Sequence, residues 1–352
     1  MESVNKPLQA LILALPESAG SSLYGMVDVL NATGNLWHTL IRSPEGRTLI
    51  QPRIVGVTSE PFLCGNRIPV QPELAVNDEV HADIIVLPEL WLGPDEDMHD
   101  RYPGVVDWIR KHYRKGAHIY SVCSGAILLA ASGLLDGREA TSHWAYADLF
   151  RRNYPGIHFR PEPNLCFADA SGRIVTSGGI TTWHDLAIHI IARHCGPGEA
   201  MHIAKVYLLK WHDEGQLPYA TLVRRSFHAD SVVRRAEDWL HKHFREKHCI
   251  TNVVELAGIP ERSLKRRFKI ATGTSLIEYI QNLRVEEAKR LLEQDSMAVD
   301  SICAETGYED AAFFRRLFKR STGLTPSQYR RMFQPINIFD EIKPKLMAQV
   351  EV

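Results

Sequence analysis

The sequence predicts two parts of different fold class, an α/β domain followed by a smaller all-α domain. Apolar runs typical of buried strands alternate with stretches of helical periodicity as far as Cys195. The alternation is broken at Gly196-Pro197-Gly198. The last third of the chain then repeats one pattern of two short helices joined by a turn. A chain of 352 residues is long for one domain, and two domains are the natural expectation.

The first elements are runs that end at a proline or a glycine. Leu8–Leu15 is a continuous apolar run that stops at Pro16, as the buried strands of a parallel sheet do. Leu23–Asn31 has helical periodicity and closes near Gly34. Two shorter strand candidates follow, Arg53–Val57 and Ile68–Val70.

The next elements continue the alternation of strand and helix. Ala82–Leu87 is a second buried strand, stopped by Pro88, and Pro103–Lys115 is an amphipathic helix with Gly116 as its stop. The remaining elements, in chain order, are the strand Ala117–Val122, the helix Gly125–Ala131, the strand Ile174–Thr176 and the helices Trp183–His194 and Glu199–Lys210. This order predicts a mostly parallel, flavodoxin-like sheet with helices on both faces.

The composition excludes several classes of protein. The hydrophobic fraction of 45% and the charged fraction of 24% are those of an ordinary globular protein. No apolar run reaches about 18 residues, and Met1–Pro7 lacks the apolar core of a signal peptide, so we expect no membrane association. The six cysteines form no C-x-x-C pair, which argues against a disulfide framework or a zinc ribbon. We therefore expect a cytoplasmic protein with no metal and no cofactor.

The net charge of −1 conceals an asymmetry along the chain. Residues 228–334 contain 19 basic and 15 acidic side chains, a balance of +4, whereas the rest contains 22 and 27, a balance of −5. A basic segment beside an acidic one suggests nucleic acid as the partner of the first. With the turn signals, this places domain boundaries at 1–212 for the α/β domain, 213–230 for a linker, 231–334 for the helical domain and 335–352 for a C-terminal extension.

The helical domain contains two units of the same plan. Ser231 is placed to cap its first helix. Each unit is a short helix, a turn at Gly258 or Gly307, and a cationic helix that ends at another glycine. The cationic helix begins near Glu261 in the first unit, and a long helix, Leu276–Gln294, separates the two units.

Both cationic helices have the same apolar spacing. Leu264 and Phe268 in the first, and Phe314 and Phe318 in the second, lie at i, i+4 and are expected to point into a core. The cations then lie on the opposite face. One such helix alone is more often a solvated surface, but two in series at this spacing indicate paired helix-turn-helix units.

The closing stretch carries a resemblance to a known family. Gly307-Tyr308-Glu309-Asp310, then Phe314-Arg315-Arg316-Leu317-Phe318-Lys319, then Gly323-Leu324-Thr325-Pro326-Ser327-Gln328-Tyr329-Arg330 resembles the signature of AraC-type DNA-binding domains. The resemblance covers Ser231–Phe333. It implies duplex DNA as the partner, with two recognition helices on a rigid linking helix that enter successive major grooves about 34–36 Å apart.

The resemblance also assigns roles to the outward side chains. Arg266 and Arg316 could each contact guanine O6 and N7 bidentately. The implied DNA-contacting residues are Arg262, Lys265, Arg266, Ala311, Ala312 and Arg316 for bases and Lys269, Arg315 and Lys319 for phosphates. Pro260 stands where the first recognition helix commonly has a capping Ser, which should weaken that end by about 1 kcal/mol.

A second informative segment is Tyr120-Ser121-Val122-Cys123-Ser124-Gly125-Ala126. A strand ends at Cys123 and a helix of small residues begins at once, which is the geometry of a nucleophile elbow. The N–H groups at the helix start favour thiolate and anion binding. His143 is a candidate partner for the thiol. A buried structural cysteine and an ordinary hydrogen-bonded histidine are the alternatives.

The elbow belongs to a longer resemblance. With Gly133-Leu134-Leu135-Asp136-Gly137-Arg138, Ala140-Thr141-Ser142-His143-Trp144 and Val175-Thr176-Ser177-Gly178-Gly179, it resembles the PfpI-like, class I glutamine-amidotransferase-like fold over about Leu8 to Cys195. The whole chain then resembles GlxA-type transcriptional regulators, which implies a sensing and dimerising N-terminal domain, a small-molecule effector and a homodimer. The expected ligand-binding residues are Ser22, Cys123, Ser124, Gly125, His143, Gly178, Gly179 and Trp183.

One departure from the family's enzymes separates the functional alternatives. Ser22 stands where those enzymes carry a Glu that hydrogen-bonds the cysteine, and Glu17 lies too far upstream. The set of Cys123, His143 and Ser22 is then a degenerate site, and we expect a regulator that binds a small carboxylate-bearing metabolite. A cysteine-dependent amidase or glyoxalase with a DNA-binding tail is the alternative, and a redox sensor at Cys123 is a third.

Overall fold

In a computed structural model of the chain, Met1–Gln216 and Leu217–Val352 form two compact units. The structure describes residues 6–98, 100–221, 228–294 and 297–333. The predicted C-terminal extension, 335–352, and residues 222–227 of the predicted linker lie outside the described residues.

Eleven strands and seven α-helices form the N-terminal unit as far as the structure describes it. The strands are β1 (Leu8–Leu13), β2 (Ile50–Gly56), β3 (Phe62–Cys64), β4 (Ile68–Val70), β5 (Leu74–Ala75), β6 (Ile84–Leu87), β7 (His118–Val122), β8 (Glu139–Ala140), β9 (His158–Phe159), β10 (Leu165–Phe167) and β11 (Ile174–Ser177). The helices are α1 (Gly20–Asn31), α2 (Leu36–Leu40), α3 (Pro103–Arg114), α4 (Gly125–Ala131), α5 (Ala147–Asn153), α6 (Trp183–Cys195) and α7 (Pro197–Tyr207).

Seven of these strands form one sheet in the order β10-β11-β7-β6-β1-β2-β5. All neighbours are parallel except β10 and β11. The central order β2-β1-β6-β7-β11 is the 2-1-3-4-5 arrangement of flavodoxin-like sheets, so the predicted fold class is confirmed. The strands are continuous apolar runs because they are buried on both faces, and every residue of β6 is buried.

The prediction missed the short strands and displaced some element boundaries. β4 is a strand as predicted, but it pairs with β3 in a separate antiparallel hairpin instead of joining the main sheet. α1 begins at Gly20 rather than at Leu23, because its first turn consists of small and polar residues that carry no helical apolar pattern. Strands of two or three residues, such as β5 and β8, are too short for a period to appear.

The C-terminal unit is all helical in its described residues, as predicted. Its helices are α8 (Ser231–His243), α9 (Cys249–Ala257), α10 (Glu261–Thr272), α11 (Leu276–Gln294), α12 (Val299–Glu305), α13 (Ala311–Thr322) and α14 (Pro326–Phe333). Two separate cores lie along α11. Its first half packs with α8, α9 and α10, and its second half packs with α12, α13 and α14. The long helix therefore belongs to both helix-turn-helix units.

The division between the units falls after Gln216 rather than at the predicted start of the linker. The Gln216 side chain is buried, and its Nε2 donates hydrogen bonds to Thr141 Oγ1 (3.2 Å), Ser142 O (3.0 Å) and Pro163 O (3.1 Å). These bonds hold Gln216 in the N-terminal unit, although residues 213–216 have the polar composition of a linker. No helix among the described residues has both the length and the hydropathy needed to cross a membrane.

Candidate nucleic-acid interface and candidate ligand site

The first helix-turn-helix unit consists of α9 and α10. Gly258 ends α9 in the left-handed conformation, with φ of 64°, which glycine adopts without steric cost. Leu264 and Phe268 are fully buried, as their i, i+4 spacing predicts. Pro260 stands at the N-cap of α10 and offers no side-chain hydrogen bond, so the first helix begins uncapped.

The second unit, α12 and α13, repeats this plan with a stronger helix start. Gly307 provides the turn with φ of 87°, and Phe314 and Phe318 are fully buried. Asp310 caps α13, because its Oδ1 accepts hydrogen bonds from the backbone N–H groups of Ala312 (2.8 Å) and Phe313 (2.9 Å). An Asp two and three residues before these N–H groups is the usual N-cap signal in a sequence.

The predicted DNA-contacting side chains of α10 lie on its solvent face. Arg262, Arg266 and Lys269 are exposed. Lys265 is half-buried and forms an i, i+4 ion pair with Glu261, whose carboxylate lies 2.5 Å from the Lys265 Nζ. An ion pair on the surface of a helix contributes little stability, so the lysine can exchange its partner for a phosphate or a base at small cost.

The solvent face of α13 has fewer hydrogen-bond donors. Ala311 is half-buried and Ala312 is exposed. Arg315 pairs with Asp300 of α12 at 2.5 Å, whereas Arg316 extends into solvent from the next position. The other predicted contact of this helix, Lys319, is also exposed. Sequence reasoning missed Phe313, whose ring is 37% exposed beside the two alanines and adds an apolar surface.

Asp230, not the predicted Ser231, caps α8. The Asp230 carboxylate accepts from the N–H groups of Val232 (3.0 Å) and Val233 (3.1 Å), and it also receives two hydrogen bonds from Arg267, at 2.8 and 2.6 Å. The Arg267 guanidinium therefore lowers the pKa of Asp230 to about 2. Arg267 thus has a structural role, because it holds the capping carboxylate of α8.

Arg284, near the middle of α11, joins the two helix-turn-helix units. Its guanidinium donates to the carbonyl oxygens of Phe244 (2.8 Å) and Glu246 (3.1 Å) beside the first unit and of Gly307 (2.8 Å) in the second. It also lies 4.9 Å from the centre of the Tyr308 ring. A flat group with five donors can span three carbonyls, which lysine cannot. No local sequence pattern distinguishes this arginine from the other charges of α11.

The candidate ligand site lies at the carboxyl ends of the central strands, where β7 turns into α4. Cys123 has φ of 51°, the strained conformation of a nucleophile elbow. Its N–H donates to Ser177 O (3.0 Å), and its carbonyl accepts from Ser142 Oγ (2.7 Å). Gly125 is required, because a Cβ there would collide with the backbone carbonyl of Leu87. The predicted elbow geometry is present.

The surroundings of the Cys123 thiol, however, oppose the thiolate that the helix start favours. Cys123 is 2% exposed, and burial, followed by the charge of Glu89, raises its pKa to about 12. Hydrogen bonds from Ser124 and from the His143 backbone only partly offset this rise. Glu89 comes from the loop after β6, and burial raises its own pKa to about 7. Sequence reasoning missed it, although a carboxylate just after a buried strand and Pro88 was a visible signal.

The His143 ring contacts groups other than the Cys123 thiol. Its Nδ1 accepts the N–H of Ala145 at 3.1 Å, and burial lowers the pKa of its imidazole. Within the described parts of the chain no hydrogen bond connects the ring to the Cys123 sulfur. The ring packs instead against Trp144, with centroids 4.8 Å apart.

Ser22 and Glu17 also have partners elsewhere. The Ser22 hydroxyl donates to Ala19 O (3.3 Å) within the first turn of α1. The Glu17 carboxylate accepts from Arg101 (2.9 Å) and from the Tyr102 hydroxyl (2.9 Å). Among the described hydrogen bonds, none joins either side chain to Cys123.

The other predicted ligand residues separate into two places. A side chain at Gly178 would collide with the amide of Gln216, and the Cβ of any residue at Gly179 would lie 3.4 Å from the His143 ring. The two glycines therefore allow packing beside the elbow. Trp183 lies in another cleft of about 500 Å³, between α1, α6 and the residues after α7. Its lining consists of Gly25, Asp28, Val29, Trp183, His184, Tyr207, Leu208, Leu209, Lys210 and His212.

Comparison with known families accounts for both units. Residues 26–193 match the DJ-1/PfpI family, and residues 253–332 match a helix-turn-helix domain family. The chain is 26% identical over 281 residues to the HTH-type transcriptional regulator CdhR of Pseudomonas aeruginosa, across 79% of this chain and 80% of that protein. It is 30% identical over 228 residues to the HTH-type transcriptional regulator GlxA of Rhizobium meliloti, across 63% of this chain and 68% of that protein.

An enzyme is also similar to part of the chain. Isonitrile hydratase of Pseudomonas putida is 30% identical over 169 residues, which is 48% of this chain and 68% of that protein. The regulators match a larger share of the chain than the enzyme does.

Proposed function

Because this chain belongs to the family of HTH-type transcriptional regulators that join a DJ-1/PfpI domain to a C-terminal helix-turn-helix domain, we propose that it reads two neighbouring major grooves of duplex DNA through α10 and α13. One observation supports this most directly. Arg284 fastens both helix-turn-helix units to one helix, so two cationic recognition helices are held at a fixed spacing.

The two recognition helices have unequal roles in this proposal. Arg262, Lys265 and Arg266 give α10 several hydrogen-bonding side chains for base edges. α13 has Arg316 for hydrogen bonds, with Ala311, Ala312 and the exposed Phe313 for apolar contact with thymine methyl groups. Phosphates are then contacted by Lys269, Arg315 and Lys319. The first half-site should therefore be read mainly by hydrogen bonds and the second mainly by shape and methyl contacts.

The N-terminal unit is the effector domain in this proposal, and its binding site is the cleft beside Trp183. A volume of about 500 Å³ suits a small metabolite. The cleft offers an aromatic wall, a carboxylate at Asp28 and a cation at Lys210, so the effector should carry both an anionic and a donor group. Its lining includes residues 207–210 and His212, close to the end of the unit at Gln216, where a bound ligand would act on the connection to the DNA-binding unit.

The elbow at Cys123 is not the effector site in this account. The buried Glu89 carboxylate beside it opposes the small carboxylate ligand that the helix start suggested. The chain is a regulator rather than a Cys123-dependent enzyme, and the neutral thiol is consistent with that assignment. Oxidation as a signal is equally disfavoured, since redox-sensing cysteines are exposed thiolates.

We also propose a homodimer that acts in the cytoplasm. Leu63 of the β3–β4 hairpin and Trp91 are both about half exposed, at 51% and 55%, and Trp91 packs near Gly65 of the same region. This apolar patch is the proposed dimer contact. Sedimentation analysis of Trp91→Ala and Leu63→Glu should show a monomer where the unchanged chain is dimeric.

The DNA-binding proposal is tested with the full chain and duplexes selected from a random pool. Mobility shifts should reveal a preferred sequence whose binding weakens steeply with salt. Arg266→Ala and Arg316→Ala should each relax preference at a different position, by about 1–3 kcal/mol, whereas Lys269→Ala should weaken all sequences alike. If selection enriched no sequence, or if Lys269→Ala relaxed base preference as Arg266→Ala did, the assignment of roles would be wrong.

A further inference from the structure

Three side chains with metal-binding chemistry converge in the N-terminal unit, away from the elbow. They are His38 of α2 and Glu199 and His202 of α7, and their potential ligand atoms all lie within 4.8 Å of one another. Glu199 and His202 are three residues apart on one helix and therefore face the same side. His38 is distant from them along the chain, which is why no sequence motif indicated a metal.

The carboxylate of this cluster is already oriented by the fold. Glu199 is 9% exposed in its side chain, and its Oε1 accepts the backbone N–H of Gly34 at 2.6 Å. Its other oxygen, Oε2, remains directed at His202 Nδ1, 3.2 Å away. A carboxylate fixed through one oxygen by a backbone donor is the outer-shell arrangement that metal-binding carboxylates commonly have.

Both imidazoles are also held in place. His202 stacks on the Trp37 indole, with centroids 4.7 Å apart and planes within 2°. His38 lies edge-on to His202 at 6.1 Å. The His38 Nδ1 is buried, and within the described ranges it has no hydrogen-bond partner. An ordinary His202–Glu199 ion pair would account for two members of the cluster but leaves this nitrogen unexplained.

From this geometry we propose that His38, Glu199 and His202 bind a divalent transition-metal ion of the zinc class. Two neutral imidazoles and one carboxylate form a three-ligand set that leaves a further position for water or another ligand. Nitrogen ligands favour zinc and its neighbours over calcium and magnesium, which prefer oxygen. The ion replaces the contact between His202 Nδ1 and Glu199 Oε2 and joins α2 to α7.

The test uses the full chain, stripped of metal with a chelator and then titrated with Co²⁺. Co²⁺ takes zinc sites and reports its coordination by visible d–d bands, and Trp37 adds a fluorescence signal because its ring touches a ligand. His202→Phe keeps the stack on Trp37 but removes the nitrogen ligand, and His38→Ala removes the ligand from α2. The exposed His158 supplies the matched control, His158→Ala.

We expect one Co²⁺ per chain with low-coordinate bands, displaced by Zn²⁺. We also expect Zn²⁺ to raise the melting temperature of the unchanged chain and of His158→Ala. His202→Phe and His38→Ala should each lower the affinity by at least about tenfold, with unchanged circular dichroism. The proposal is overturned if the unchanged chain shows neither bands nor a melting shift. Binding that persists in both variants, or that His158→Ala abolishes, overturns it too.

Discussion

Replacing Arg284 with alanine should loosen the contact between the two helix-turn-helix units around the middle of α11 without unfolding either one. The substitution removes three hydrogen bonds from a charged donor, to the carbonyls of Phe244, Glu246 and Gly307. A single such bond is worth about 1.5–3 kcal/mol. Because the guanidinium is half-buried, water can reach the freed carbonyls, and the total should be about 3 kcal/mol rather than the full sum.

Hydrogen-exchange mass spectrometry measures this loss locally. The amides of Gly307 and Tyr308, which close the end of α12, should exchange roughly a hundredfold faster in Arg284→Ala, since 1.4 kcal/mol corresponds to a factor of about ten. Arg284→Lys should recover only a small part, because an ammonium group cannot span three carbonyls. Affinity for duplex DNA should fall as the spacing between α10 and α13 becomes variable.

Arg290 gives the matched control on the same helix. It is about half exposed, and it pairs with Glu287 (2.7 Å) and Gln294 (2.7 Å) of its own helix. Arg290→Ala should change the free energy of local opening, as hydrogen exchange reports it, by less than about 0.5 kcal/mol. If Arg284→Ala and Arg290→Ala behaved alike in exchange and in DNA affinity, Arg284 would not hold the units together, and the fixed spacing would need another cause.

Three further predictions concern single side chains. Asp310→Ala should lower the stability of the second unit by about 1 kcal/mol, seen as faster hydrogen exchange at the start of α13. Pro260→Ser should instead stabilise α10 by adding a capping hydroxyl. Negligible effects of both substitutions would refute the capping argument. Cys123 should be alkylated at least about a hundredfold more slowly in the native than in the denatured chain. The reason is that a pKa of about 12 instead of 9 leaves roughly a thousandth of the thiolate. Comparable alkylation rates in the two states, measured by mass spectrometry, would contradict the neutral thiol. The pKa of Glu89 is about 7 in the folded chain, against its ordinary 4.5 in the unfolded chain. Between these pH values the folded state therefore binds more protons than the unfolded state. The free energy of unfolding should fall by roughly 3 kcal/mol as pH rises through that window. Glu89→Gln should remove this fall and stabilise the chain at pH 8, and unchanged pH dependence in denaturant titrations would exclude Glu89 as its source.

The fold could be predicted from the sequence wherever a strand or helix has a long run of apolar residues or a regular apolar spacing. β1 and β6 were visible as unbroken apolar runs because a parallel sheet is covered on both faces, and the paired anchors of α10 and α13 were visible because helical period repeats over three turns. The short strands and the exact end of the N-terminal unit could not be predicted in this way. Gln216 resembles a linker residue, and its burial depends on three acceptors from distant segments.

The sites were predictable to a smaller extent. The elbow at Cys123 depends on local turn chemistry, which a sequence displays. The ionisation of its thiol depends first on burial and then on the charge of Glu89, and distant segments supply both. Arg284 likewise acts through carbonyls that tertiary structure brings together. The His38, Glu199 and His202 cluster was beyond sequence reasoning for the same reason. The sequence predicted local geometry, such as the turn at Cys123. The effects of residues that are distant in sequence could be found only from the structure.

The most direct test of the central claim is the helical phasing of the preferred DNA site. Two recognition helices fixed on one linking helix require half-sites about one turn apart on the same face of the duplex. Inserting about five base pairs between the half-sites places them on opposite faces, and about ten restores the face but not the spacing. We expect the unchanged chain to lose its preference for both altered duplexes and to bind the two half-sites no better than one. Unchanged affinity after the shorter insertion would contradict it.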